Sequence, residues 1–428
     1  MKTVILCFPA LDWEQIQMPI GLYKIAAYCN QYYNVIIVDD RLQKAESTIK
    51  ELICKEDVVF LGISVMIGSQ ITKALHLSKL FHGVVPIVWG GTLPTILPEM
   101  VLESEYVDYI IRGDGESAVL DLANALVNQP AHISSNTKVH VFQDLSMSNI
   151  NYATVSLPDE YFISRDGFNR AIALETSRGC PHACAFCHNT SLKHPYRYIP
   201  AKIVKNSINQ LVNRFHIDGI IFQEDNMFVN SQRAMDIISY LKGFPEVGWK
   251  ANSRIDYFKK LSHNQNFMEL LVDSGCHTLQ FGIESGSPQI LKMINKRIIP
   301  EDVIEVNKAL AQYDIRLRFN FIIGFPTETE NEIHETMQLA TQLQSDNPHA
   351  EPPFVNIYTP IPGTPLFDAA IKDGFVAPRS LEEWADIYWN RIDELRWPRK
   401  TNALINRLSM DALERSFYLR ASCEEDKK

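Results

Sequence analysis

The stretch Ser177–Thr190, SRGCPHACAFCHNT, places three of the chain's eight cysteines, Cys180, Cys184 and Cys187, within eight residues. It follows directly on AIALET, an apolar run from Ala171 with the character of a buried strand. The other five, Cys7, Cys29, Cys54, Cys276 and Cys423, stand singly and read as core or incidental thiols. What the trio does depends on the redox compartment. The opening residues, MKTVILCFPALDWEQ, hold a lysine and a short apolar run, but Asp12 and Glu14 interrupt it and no small-residue cleavage site follows. They read as a first strand and not as a signal peptide. No apolar run is long enough to cross a membrane. The expectation is a cytoplasmic protein with reduced thiols, in which the trio holds metal and forms no disulfide.

Outward from this stretch the pattern is regular. After AIALET, strands are expected at GIIFQE (219), VGWKAN (247), HTLQFGI (277), RLRFNFII (316) and FVNIYTP (354), with helical segments between them. Six βα units predict a partial (β/α)6 TIM-like barrel over 169–364, whose chemistry sits at the carboxyl ends of the strands. The cysteine loop leaves the first of those ends. Upstream, TVILC (3), VIIVDD (35), VVFLGIS (58), PIVWG (86) and VDYII (107) alternate with helical segments such as PIGLYKIAAYCNQ. Continuous apolar strands joined by helices predict an α/β unit over 1–130, a flavodoxin-like doubly wound parallel sheet with its crevice at the strands' carboxyl ends. Residues 131–168, rich in Ser, Asn and Pro, read as a linker, and 365–428 as a helical C-terminal region. With 428 residues and 46% hydrophobic content the chain can bury large cores. A net charge of −10 argues against a general nucleic-acid surface.

Thiolates select zinc or iron–sulfur clusters. Structural zinc takes four protein ligands; no fourth cysteine lies at a suitable spacing, and only His182 or His188 offers a Cys3His alternative. Three cysteines on a four-iron cluster leave one iron open to another molecule. At these residues the sequence resembles the radical S-adenosylmethionine (SAM) enzymes, whose signature C-x3-C-x-aromatic-C reads here Cys180, Cys184, Phe186, Cys187. The resemblance implies a [4Fe–4S] cluster whose open iron is chelated by SAM and whose electron generates a 5′-deoxyadenosyl radical. It also implies SAM-binding groups at the later strand ends: Glu224 and Asp225 toward the ammonium, Ser253 and Arg254 toward the carboxylate, Glu284 toward a ribose hydroxyl or the amino group, and the backbone at Gly324 toward adenine. Taken singly, each acid is equally readable as the cap of the next helix. YTPIPGTPLF (358–367) resembles the barrel end of the branch that includes cobalamin-dependent members, and its own residues read as a turn.

A flavodoxin-like unit ahead of such a barrel resembles the cobalamin-binding branch of the superfamily, over roughly residues 1–360. The resemblance places cobalamin near Ser64, Gly90, Gly91, Gly113 and Gly115. The Asp-x-His-x-x-Gly motif of other B12 proteins is missing, since VDDRLQKAE follows the second strand without a histidine. The lower face of cobalt is then expected to lack a protein histidine, and a unit that kept the fold but lost the cofactor is the competing reading. Trp13 and Trp89 are candidates to flank a corrin or to fill a core; His76 and His82 sit on or just after a predicted helix and are not read as ligands. The expected activity is cobalamin-dependent methylation of an unactivated carbon of a small molecule or peptide, with electrons from an external flavodoxin- or ferredoxin-type reductant. The alternatives are radical rearrangement or cyclisation without methyl transfer and, from another class, a non-catalytic iron–sulfur redox sensor. A methylthiotransferase would carry a further cysteine trio, which Cys7, Cys29 and Cys54 do not form. No catalytic side chain is assigned beyond the cluster ligands.

Overall fold

The computed structural model describes residues 1–10, 16–128, 139–141, 147–192, 195–387 and 395–408. Strands β1 (Thr3–Phe8), β2 (Asn34–Asp39), β3 (Val58–Ser64), β4 (Ile87–Gly90), β5 (Tyr109–Arg112) and β6 (Val139–Val141) form one parallel sheet in the order β2-β1-β3-β4-β5-β6. This is the flavodoxin-like order with one strand added. The addition comes from the stretch read as linker, where a three-residue strand leaves no periodicity to detect.

Both faces of this sheet are covered, which is why its strands read as unbroken apolar runs. Ile5, Cys7, Leu61, Ile63 and Trp89 face helices Ala45–Lys55 and Gln70–Phe81. Val4, Leu6, Phe60, Val88 and Ile111 face helices Ile20–Cys29 and Glu116–Asn128.

The second sheet contains β7 (Ile163–Arg165), β8 (Phe168–Leu174), β11 (Gly219–Phe222), β12 (Gly248–Ser253), β13 (Cys276–Glu284), β14 (Arg316–Ile323) and β15 (Phe354–Ile357), in the order β15-β14-β13-β12-β11-β8-β7. A two-residue pair, β9 (Ser177–Arg178) with β10 (Arg197–Tyr198), lies between β8 and β11 in sequence. The six strands from β8 to β15 run parallel, giving the expected open half-barrel. β7 is an addition, antiparallel to β8 through a turn at Asp166 (φ 59°) and Gly167 (φ 93°). Asp-Gly between two strands is a hairpin signal, so this element was readable.

The barrel core includes Met18 and Tyr23 from the first unit, and Tyr161 donates a 3.0 Å hydrogen bond to Asp39 at the end of β2. The C-terminal region is helical in pieces, at Pro365–Lys372, Leu381–Ala385 and 402–408. Leu381, Trp384 and Ala385 pack back into the first sheet's core. Among the described residues no helix is long and apolar enough to cross a membrane.

Candidate active site

The cysteine loop is clamped from two sides. The Ala185 N–H donates to Ile294 O (2.8 Å) and its carbonyl accepts from the Leu366 N–H (3.1 Å). The Thr190 hydroxyl closes the turn on Cys184 O at 2.8 Å. The YTPIPGTPLF turn thus buttresses this loop. Gly363, at φ 79°, lets it approach: a Cβ there would lie 3.1 Å from that of Ser191.

Cys184 is buried while Cys180 and Cys187 are partly exposed, and all three are free thiols. Burial pushes the Cys187 thiol up to about 12, a proton that metal binding must displace. Among the described residues no three Cys, His, Asp or Glu side chains converge as one metal ion requires. The donor set, three soft thiols in one loop with each free to take a separate iron, suits a cluster. His182 is engaged elsewhere, 3.1 Å from Tyr257 Oη.

The residues expected around SAM separate into two groups. Glu224 and Asp225 leave β11 on opposite sides. Glu224 is fully buried and accepts from the Thr176 N–H at 3.1 Å and from its hydroxyl; burial, opposed by those hydrogen bonds, lifts its carboxyl to about 7. Asp225 lines the central cavity. Ser253 is buried at the end of β12 with its hydroxyl 3.5 Å from Arg254 O. The Arg254 guanidinium is spent on Asp256, Lys296 O and Cys184 Sγ.

Glu284 sits at φ 75° beyond a register shift in β13, a conformation costly for a non-glycine residue. It pairs with Lys296 at 2.7 Å, both side chains buried. Lys296 is absent from the sequence reading: it lies in the loop after a short helix, with no spacing to signal it. Gly324, at φ 83°, donates its N–H to Glu328 Oε2 (2.5 Å), and its carbonyl accepts from Arg399. Both its backbone groups are therefore taken within the chain. Phe186 packs against Phe325 with ring centroids 6.0 Å apart.

A cavity of about 480 Å³ opens between the two sheets. Its apolar lining includes Leu6, Phe60, Val88 and Ile111 and the helix residues Leu22 and Ile25. Ser64, Gly90, Gly91, Gly113 and Gly115 line it from the ends of the first sheet, and Gly179, His188 and Asn189 from the cysteine loop. Gly62 and Gly115 let Leu6 and Ile25 pack close against the backbone: a Cβ would sit 2.8 Å from Leu6 Cδ2 and 2.6 Å from Ile25 Cδ1 respectively. A lining that joins these apolar side chains to polar ones such as Gln223 and Asp225 fits a large amphipathic cofactor. Trp89 faces away, its indole N–H donating to Ser78 Oγ at 2.9 Å; Trp13 and Cys423 lie outside the described residues. His76 is exposed beside Glu46 and His82 lies near Asp108.

The cavity is backed by a charge network that the sequence did not signal. Lys24 meets Glu175 (2.5 Å); Arg178 meets Glu116 (2.9 Å), Asp114 (3.1 Å) and Glu175 (2.9 Å); Arg197 meets Asp114 (2.6 Å). Burial works against the Arg178 charge, and Glu175, Glu116 and Asp114 outweigh it, so its pKa is raised.

A cysteine trio at the first strand end of an open parallel barrel, facing a flavodoxin-like sheet across a shared cavity, defines a class. Residues 174–340 match the radical SAM superfamily and residues 10–123 the B12 binding domain. The chain belongs to the radical SAM superfamily and carries a B12-binding domain ahead of its barrel; its cofactors are a [4Fe–4S] cluster, SAM and cobalamin. It is 29% identical over 391 residues to an uncharacterized methyltransferase of Pyrococcus horikoshii, covering 86% of this chain and 82% of that protein. It is 26% identical over 299 residues to the anaerobic magnesium-protoporphyrin IX monomethyl ester cyclase of Cereibacter sphaeroides, covering 65% of this chain and 47% of that one. The fold is similar to the radical SAM methyltransferase TsrM of Kitasatospora setae, with a TM-score of 0.70, 14% identity, and coverage of 88% of this chain and 80% of that one.

Proposed function

We propose that this enzyme methylates an unactivated carbon of a small molecule or peptide side chain, using cobalamin as methyl carrier. The observation that carries this reading is one cavity lined both by the glycine-rich strand ends of the B12-binding domain and by the cysteine loop. When bound, the cluster and SAM supply a carbon-centred radical, and cobalamin supplies the methyl group.

The chain's own residues do the rest. Cys180, Cys184 and Cys187 hold the cluster. Asp225, on the cavity wall, would receive the SAM ammonium, and the Glu284–Lys296 pair would offer a carboxylate and an ammonium to its amino, carboxylate or ribose groups. Phe186 and Phe325 give the loop an apolar flank. Ser64, Gly90, Gly91, Gly113 and Gly115 would cradle the corrin, and the charge network, which ties the two domains together beside the cavity, would limit the access of bulk water. A low-potential one-electron donor of flavodoxin or ferredoxin type completes the system, in the cytoplasm.

Similarity to a cyclase favours one second reading, radical ring closure without methyl transfer. Product counting separates the two. Methylation yields S-adenosylhomocysteine and 5′-deoxyadenosine together with methylated product. 5′-Deoxyadenosine alone, from cobalamin-loaded enzyme turning over a substrate identified by mass spectrometry of co-purified ligand, would move the enzyme to the ring-closure class.

A further inference from the structure

Arg254 follows β12 with its side chain almost fully buried. Each of its three nitrogens has a protein partner. Nε donates to Asp256 Oδ1 (2.9 Å), Nη2 to the Lys296 carbonyl (2.6 Å), and Nη1 to Cys184 Sγ (3.5 Å). Sulfur hydrogen bonds are long, and this one comes from a fixed cation. The fork therefore ties together the cysteine loop, the end of β12 and the segment that carries Lys296. Asp256 is the only carboxylate bonded to it among the described residues, and it is itself partly exposed.

We infer that Arg254 does not bind the SAM carboxylate: it is a positioning residue that sets the reduction potential of the cluster through the Cys184 sulfur. The inference rests on the cluster reading. A reduced cluster carries one more negative charge than an oxidised one, and that charge is spread over its thiolate sulfurs. A cationic donor aimed at one sulfur stabilises the reduced form more than the oxidised form, so it raises the potential. The same guanidinium fixes the Lys296 backbone, whose ammonium reaches Glu284. One side chain thus couples the tuning of the cluster to the alignment of the SAM pair. Lysine at this position would keep a charge but could not span three partners.

The test uses reconstituted full-length Arg254→Gln and Arg254→Lys beside the parent. Redox titration followed by electron paramagnetic resonance is paired with anaerobic calorimetry of SAM binding and with iron analysis. Arg254→Gln should shift the midpoint to more negative values by about tenfold in the equilibrium constant, ~59 mV for one electron. Arg254→Lys should fall between it and the parent, and SAM affinity should change less than about tenfold in both. If Arg254→Gln does not retain iron, the potential of Arg254→Lys decides. An unchanged potential overturns the inference, whether SAM binding is intact or falls by the ~30-fold or more expected for a lost direct carboxylate contact. Failure of the parent to assemble a cluster would instead overturn the cluster reading itself.

Discussion

Lys296→Met would remove an ammonium 2.7 Å from Glu284 while keeping most of the side-chain volume, at a site where both partners are buried. At an effective dielectric of ~20 the gross attraction over that distance is about 6 kcal/mol, before either charge is desolvated. What the experiment reads is the cost of leaving Glu284 buried and alone, ~3–5 kcal/mol of folding stability. Relaxation is limited, because Gly282 leaves only enough room for the pair: a Cβ there would lie 2.4 Å from Glu284 Oε1 and 3.1 Å from Lys296 Nζ. If the pair also holds SAM, affinity should fall by ~2–5 kcal/mol, roughly 30-fold to several thousandfold. The double variant Lys296→Met/Glu284→Gln separates the two roles, since it leaves no buried charge. Stability, from denaturant unfolding, should return most of the way to the parent's value. SAM affinity, from anaerobic calorimetry on cluster-loaded protein, should stay low. A double variant that binds SAM as the parent does would refute the assignment and leave the pair a structural one.

At Gly90 the nearest atom to a new Cβ is Ile111 Cβ at 4.0 Å, so a side chain grows into the cavity; Gly90→Phe should abolish cobalamin uptake, followed by absorption after dialysis, with melting unchanged. Gly91→Ala is different in kind, since φ is 97° and a Cβ would lie 2.9 Å from Val65 O; it should cost ~1–3 kcal/mol of stability with or without cobalamin. Equal melting of the two variants would show that the cavity wall is misplaced. The Glu224 carboxyl, raised from 4.5 to about 7 mainly by burial, keeps a proton in the folded state that the unfolded chain has released. Stability should therefore fall as pH rises from 4.5 to about 7, by up to ~3 kcal/mol, and Glu224→Gln should flatten that slope in denaturant titrations; parallel slopes would contradict it.

Much of the fold was legible because the first sheet is buried on both faces, so its strands stand out as apolar runs bounded by turns, while barrel strands such as Arg316–Ile323 alternate buried and part-exposed residues. The cysteine loop was legible because its spacing is local. The losses have physical causes. Glu224 and Asp225 were taken together, but neighbouring residues leaving a strand face opposite ways, and only Asp225 reaches the cavity. Arg254 has the charge that suits a carboxylate ligand, yet its guanidinium is taken up by Asp256 two residues on and by a sulfur and a carbonyl brought in from other segments. Lys296 acquires meaning only when the loop after helix Pro288–Met293 folds back over Glu284. The β7–β8 hairpin did carry its Asp-Gly signal. The return of Leu381–Ala385 onto the first sheet carried none, because an isolated five-residue helix does not specify what it packs against.

The charge network ties the two domains together beside the cavity. Arg178 is two residues from Cys180, on the short strand that leads into the cysteine loop; its acidic partners are Asp114, in the turn that also presents Gly113 and Gly115 to the cavity, and Glu116, the first residue of the helix that follows. On the proposed reading, a displacement of the Gly113–Gly115 turn would reach the cysteine loop through these buried ion pairs. Arg178→Met would leave Asp114, Glu116 and Glu175 with only Lys24 and Arg197 to balance them. The expected loss is ~3–5 kcal/mol of stability, because uncompensated buried carboxylates remain. It should appear in both halves at once, with less cobalamin retained and less iron held per chain. Loss of cobalamin with full iron retention, measured on the same preparation, would mean that the network serves the first domain alone and that the cysteine loop is held sufficiently by Ile294 and Leu366.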